Sequence, residues 1–175
     1  MYLEKVIHKI TERTKPCKVL DLCAAPGGKS THLLSVLPEG SLLVSNEVIS
    51  SRNKILQQNI IKWGYNNVVV TQNDVRDFSR LPGFFDIIVV DAPCSGEGLF
   101  RKQPDAIDEW SLDNVNHCSA RQTKILDDVY EALKENGYLV YCTCTYEKSE
   151  NEIQIERMIV QYKMELVDLV VNDEG

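Results

Sequence analysis

The chain has 175 residues, 43% of them hydrophobic and 26% charged, a make-up suited to one globular domain with its own core. No apolar run approaches the ~20 residues of a membrane span, and the charged, helix-like N-terminus lacks the plan of a secretory signal, so a cytoplasmic protein is expected. A net charge of −7 argues against a chain that holds nucleic acid chiefly through a basic surface of its own.

In chain order, residues 1–14 read as a charged helical stretch. Residues 18–22 form a short apolar strand ending at Asp21, followed by a glycine-containing turn. A helix over 30–37 is closed by Pro38 and Gly40. A strand at 41–45 leads to Asn46 and Glu47. Over 50–63, Leu56, Ile60 and Trp63 recur at helical spacing and Gly64 stops the helix. Residues 67–71 predict a third strand and 85–90 an uninterrupted apolar fourth, as expected of a strand covered on both faces. A long loop at 92–113, with two prolines and two glycines, is of a length more often functional than accidental. A helix at 119–134, a turn at Asn136-Gly137 and a strand at 138–142 follow, then a helix at 149–162 and a strand at 165–171. This alternation predicts a mostly parallel α/β sheet.

In such sheets ligands lie beyond the carboxyl ends of the strands. The run Asp21 to Ser30 sits there, with small residues that allow close backbone approach and a helix start offering free N–H groups. It is not a phosphate-binding P-loop, because Cys23 stands where the first glycine is needed, and no dinucleotide GxGxxG is present. Glu47, at the end of the second strand, is placed to accept hydrogen bonds from ribose hydroxyls. Asp74 and Asp91 add acidic groups at the ends of the third and fourth strands. Together they suit a cationic sulfonium ligand with a ribose and repel a polyphosphate.

Six cysteines are many for this length. Without a secretory signal disulfides are not expected, and neither cysteine nor histidine spacing suits zinc, so no metal is expected. Cys94 leaves the fourth strand and Cys144 the fifth; if these strands are neighbours their ends lie about 5 Å apart. A thiolate adding to carbon 6 of cytosine makes carbon 5 nucleophilic toward a methyl sulfonium, and a second thiol could assist release. Spacing alone does not separate this pair from two ordinary buried cysteines.

Three motifs go further: DLCAAPGGKSTHLL at 21–34, DAPCSGEGLFRKQPD at 91–105 and YCTCTYEKSENE at 141–152. In this order they closely resemble the Nol/Nop/Sun family of RNA 5-methylcytosine methyltransferases, over residues 1 to about 169. Ser-Gly-Glu-Gly after the Pro-Cys pair points to the RsmF-like branch, which acts on bacterial small-subunit ribosomal RNA. The resemblance implies a Rossmann-like class I methyltransferase fold using S-adenosyl-L-methionine, with RNA as partner. It implies that Cys144 is the nucleophile, that Cys94 serves product release, and that Asp91 faces the methionine end of the cofactor and the target base. It further implies a cofactor loop of Cys23, Ala24, Ala25, Pro26, Gly27, Gly28 and Lys29, with Glu47 on the ribose, Asp74 near the adenine and Arg52 one turn beyond Glu47. Cys142 falls where the family tolerates small residues, and Cys17 and Cys118 match nothing functional. A DNA cytosine enzyme is expected to rely on the Pro-Cys thiol alone, so the Thr-Cys-Thr motif speaks against one. Family members carry further RNA-binding segments and a last strand. Residues 1–175 are therefore expected to be a catalytic core that binds cofactor and methylates RNA weakly or not at all by itself.

Overall fold

The computed structural model describes residues 2–11, 15–102 and 105–168. Its strands are β1 (Lys18–Asp21), β2 (Leu42–Asn46), β3 (Val68–Thr71), β4 (Phe85–Asp91) and β5 (Leu133–Cys142), all parallel, in the order β3-β2-β1-β4-β5. The helices are α1 (Tyr2–Ile10), α2 (Gly28–Val36), α3 (Ser50–Trp63), α4 (Asp105–Glu109), α5 (Leu112–Tyr130) and α6 (Glu152–Tyr162).

Side chains alternate across a strand, so neighbours on β4 serve opposite layers. Ile87 and Val89 join Val19 and Leu43 under α1, α2 and α3, where Ile7, Leu33 and Leu56 are fully buried. Ile88 and Val90 join Leu20 under Leu126 and Val129 of α5 and Met158 of α6. Each fully buried aliphatic side chain contributes about 1.5–3 kcal/mol to this two-sided core. The fold is Rossmann-like. Strand order reverses at β1, so a crevice opens at the carboxyl ends of β1 and β4.

The strand expected at 165–171 is not formed over 165–168, which are irregular, while 169–171 lie outside the described residues. The helix expected at 119–134 is α5, seven residues earlier at its start, because the Ser111 hydroxyl caps it by accepting the Asn114 N–H at 3.2 Å. It stops at Tyr130 because β5 already begins at Leu133. That strand absorbs the Asn136-Gly137 turn as an irregularity: Phe85 pairs with Leu133 but Ile87 with Tyr138, and Asn136 adopts φ 61°. The supposed long loop holds a short 3-10 turn at Glu97–Leu99 and the helix α4.

Candidate functional site

The chain turns sharply from β1 into α2. Gly27 there has φ 111°, a conformation that favours glycine, and a Cβ would stand 3.1 Å from Leu56 Cδ1, which would have to give by a few tenths of an ångström. The loop is held from α3: Arg52 Nη2 donates to the Ala25 carbonyl at 2.9 Å and Asn59 Nδ2 to that of Pro26 at 2.7 Å. Ala24 is packed in the core, and its N–H donates to the Asn46 carbonyl at 2.8 Å. Gly28 opens α2 beyond the turn.

Glu47, only 3% exposed, accepts the Ile49 N–H on Oε1 at 2.9 Å. Its Oε2 lies 3.4 Å from Arg52 Nη1, within ion-pair range yet with no hydrogen-bond partner. A buried carboxylate oxygen left this way is an acceptor awaiting a donor such as a hydroxyl. Asp74 caps the 3-10 turn Val75–Arg80 and is occupied by Arg76, whose backbone N–H and Nε reach Oδ1 at 3.1 and 3.0 Å. That contact holds its carboxyl below the usual range.

Asp91, at the end of β4, receives Lys29 Nζ at 2.6 Å. Burial alone would lower the Lys29 ammonium, but the bond to Asp91 outweighs it and the net shift is upward. Behind this pair, Asp21 is fully buried and accepts the Ser30 hydroxyl at 2.6 Å, which in turn receives that of Ser45 at 2.9 Å. Desolvation pushes the Asp21 carboxyl up to about 6.

Cys94 Sγ and Cys144 Sγ stand 3.0 Å apart, and the Cys144 N–H donates to Cys94 Sγ at 3.3 Å. Their environments differ. Cys144 is exposed, whereas Cys94 is half-buried and its thiol is pushed up to about 12, first by desolvation and then by the neighbouring Cys144. Burial likewise raises Cys23 and Cys142 to about 12, and raises Cys17 and Cys118. Cys142 Sγ lies 3.6 Å from Asp91 Oδ1. The two thiols thus meet from unequal surroundings, Cys144 open to solvent and Cys94 half-buried.

One cleft of about 1210 Å³ touches Cys23, Glu47, Arg52, Asp74, Cys94 and Cys144, and also reaches Ala25, Lys29 and Asp91. The expected residues therefore come together, except that Ala24, Pro26, Gly27 and Gly28 shape the loop without lining the cleft. Among the described residues no group of three or more His, Cys, Asp or Glu side chains could hold a metal, and no helix is long and apolar enough to cross a membrane.

Residue-type reasoning passed over the lacing between the two cysteine loops. The Ser95 hydroxyl is 3.0 Å from that of Thr145, which donates to Glu97 Oε2 at 3.1 Å, and Glu97 Oε2 also takes the Tyr146 N–H at 2.9 Å. The buried Gln122 and Glu150 complete it. Ser95, Glu97, Thr145 and Glu150 lie inside the two later motifs, which was the available signal; Gln122, in mid-helix, carried none.

A family model described as 16S rRNA methyltransferase RsmB/F matches residues 10–175. The ribosomal RNA small subunit methyltransferase F of Cronobacter sakazakii is 40% identical over 148 residues, covering 84% of this chain and 31% of that protein. Its namesake from Escherichia coli O157:H7 is 43% identical over 138 residues, covering 78% and 29%. The chain thus spans about 30% of the length of these curated relatives. Among solved structures, NSun6 from Pyrococcus horikoshii with SFG superposes with a TM-score of 0.83 at 28% identity, over 96% of this chain and 43% of that one. With its fold, its motifs and nearly its whole length matched, the chain belongs to the RsmB/F family of 16S rRNA methyltransferases.

Proposed function

We propose that this chain is the catalytic core of an enzyme that methylates carbon 5 of a cytosine in RNA, small-subunit ribosomal RNA by its family, with S-adenosyl-L-methionine as donor. The observation that carries this reading is the pair of unequal thiols, Cys94 and Cys144, 3.0 Å apart in the same cleft as the buried acceptor Glu47 Oε2. SFG is an analogue of S-adenosyl-L-methionine, and its presence in the NSun6 structure supports the donor. The residues fit such a group: Glu47 would accept from ribose hydroxyls, Asp74 would lie toward the adenine, Arg52 would hold the loop from Cys23 to Lys29, and Asp91 would face the methionine end. When bound, the donor supplies an electrophilic methyl on a positively charged sulfur.

Cys144, having released its proton, forms a bond from Sγ to carbon 6 of the cytosine as the carbon 5–carbon 6 double bond opens. Carbon 5 gains the electron pair with which it takes the methyl group, the methyl–sulfur bond breaking with its electrons left on the sulfur, which departs as a neutral thioether. The proton on carbon 5 must then leave and the bond to Sγ must break. Cys94, protonated in the resting site, gives its proton to the departing Cys144 sulfur and, now a thiolate, accepts the one from carbon 5. Both thiols are restored, with one proton released to solvent per turnover.

The test is substitution in the intact protein acting on small-subunit ribosomal RNA. Cys144→Ala is expected to abolish methylation and adduct, whereas Cys94→Ala accumulates a covalent protein–RNA adduct through Cys144. Normal turnover of Cys94→Ala, or an adduct formed through Cys94, overturns the assignment. The net charge of −7 supports the further reading that much of the RNA affinity lies outside residues 1–175. Robust turnover by this chain alone would refute that.

A further inference from the structure

We infer that Glu150 is a positioning residue for Cys94, acting with Gln122 to hold the release thiol against the nucleophile. This rests on the reading of Cys94 given above. Glu150 ends the 3-10 turn Lys148–Glu150 between β5 and α6, and it is fully buried. Its Oε2 accepts the Ser95 N–H at 3.1 Å and Gln122 Nε2 at 2.7 Å. Gln122, on α5 and also fully buried, donates from the same Nε2 to the Pro93 carbonyl at 2.9 Å. The residues on either side of Cys94 are therefore gripped, one by a carboxylate and one by an amide that the carboxylate orients. Cys94 itself is left free to face Cys144.

Nothing in ordinary packing accounts for this choice of side chain. Glu150 sits in the interior with only neutral donors on Oε2 and none on Oε1, and Gln122 Oε1 is likewise buried without a hydrogen bond. A buried acidic group held so sparingly is costly, and apolar residues of the same size would stabilise the junction better. What the pair secures is the placement of the segment that leaves β4 beside the end of β5. A thiol that must exchange protons over 3.0 Å fails when its loop moves by about 1 Å, which is the scale on which such placement matters.

The defect should therefore appear at release and not at addition. In the intact protein, Glu150→Ala is expected to lower turnover about tenfold or more while the covalent RNA adduct accumulates, as it does in Cys94→Ala. Glu150→Gln keeps an acceptor for Ser95 and Gln122 and is expected to restore turnover to within about threefold of wild type. Should Glu150→Ala fail to fold, Gln122→Met keeps the volume, removes the grip on Pro93 and is expected to accumulate adduct in the same way. A side chain that only supported the fold would lower adduct and turnover in parallel, and that pattern, seen alongside adduct in Cys94→Ala, overturns the inference alone. Absence of adduct in Cys94→Ala would instead remove the thiol reading beneath it.

Discussion

The Gly98 N–H donates to the carbonyl oxygen of Cys144 at 2.7 Å, so the loop leaving β4 is fastened to the residue proposed as nucleophile by its own backbone. With the Cys144 N–H on Cys94 Sγ, this bond ties the two cysteine loops together beside the sulfurs.

Gly98→Ala tests that closeness. A Cβ at this position would meet the Cys144 carbonyl oxygen at 2.8 Å and its Cβ at 3.5 Å. Backbone must move to admit it, with an expected destabilisation of about 1–3 kcal/mol. Methylation should fall more than the stability loss explains, because the loop opens where the thiols meet. Denaturant unfolding and single-turnover methylation measured together check this; unchanged turnover in Gly98→Ala would show that the loops tolerate separation.

Alkylation should discriminate among the six cysteines. With iodoacetamide at pH 8 and peptide mass mapping, the exposed Cys144 is expected to react at least about tenfold faster than Cys94, whose thiol burial pushes up to about 12. Cys144→Ala removes a second cause of that elevation, so Cys94 should become faster in this variant. Preferential labelling of Cys94 in the unsubstituted protein would reverse the proposed roles.

Glu47→Gln should weaken cofactor binding without harming the fold. Hydrogen bonds to a charged acceptor contribute about 1.5–3 kcal/mol, which corresponds to a roughly 10- to 100-fold weaker Kd for S-adenosyl-L-methionine by calorimetry. Stability should change little, since Oε2 has no hydrogen-bond partner to lose. An unaltered Kd would mean that ribose is held elsewhere.

The parallel sheet was legible because strand and helix periodicities alternate cleanly, and α3 was read to the residue because Leu56, Ile60 and Gly64 mark its face and its stop. The start of α5 was not: Ser111 is one polar residue in a polar stretch, and only its bond to the Asn114 N–H identifies it as a cap. Within the site, the strand-end positions of Glu47 and the two cysteines drew attention to them, but only the family motifs set Cys94 and Cys144 apart from ordinary buried cysteines. The unequal burial of Cys94 and Cys144 was invisible, since it depends on loops 50 residues apart folding against one another. Arg52, expected near the cofactor, is a brace for the Ala25 carbonyl. No spacing rule foresees that.

Asp21 should leave a signature in the pH dependence of stability. Its carboxyl titrates near 6 when folded against 3.8 as the ordinary value. Between these limits the folded state binds more protons than the unfolded one, so this group's contribution is fully present below about pH 4 and is lost as pH rises through 6. The loss is at most about 3 kcal/mol. Asp21→Asn lacks it, so the variant's stability relative to wild type should rise from pH 4 to 6 in chemical unfolding. A constant difference across that range would place the Asp21 proton release elsewhere.

The irregularity in β5 carries a last consequence. Between the pairs Phe85–Leu133 and Ile87–Tyr138, β4 advances two residues while β5 advances five, and beyond it Leu139 and Tyr141 pack toward α5 while Val140 packs toward α2. Because a one-residue slip turns every side chain through the sheet, the length of this stretch sets which way the end of β5 faces. Losing a single residue from 134–137, if it passed into the strand, would exchange Val140 with its neighbours and turn the chain entering Cys144 away from Cys94. The spacing of the two sulfurs is in this sense counted out at the far end of the strand.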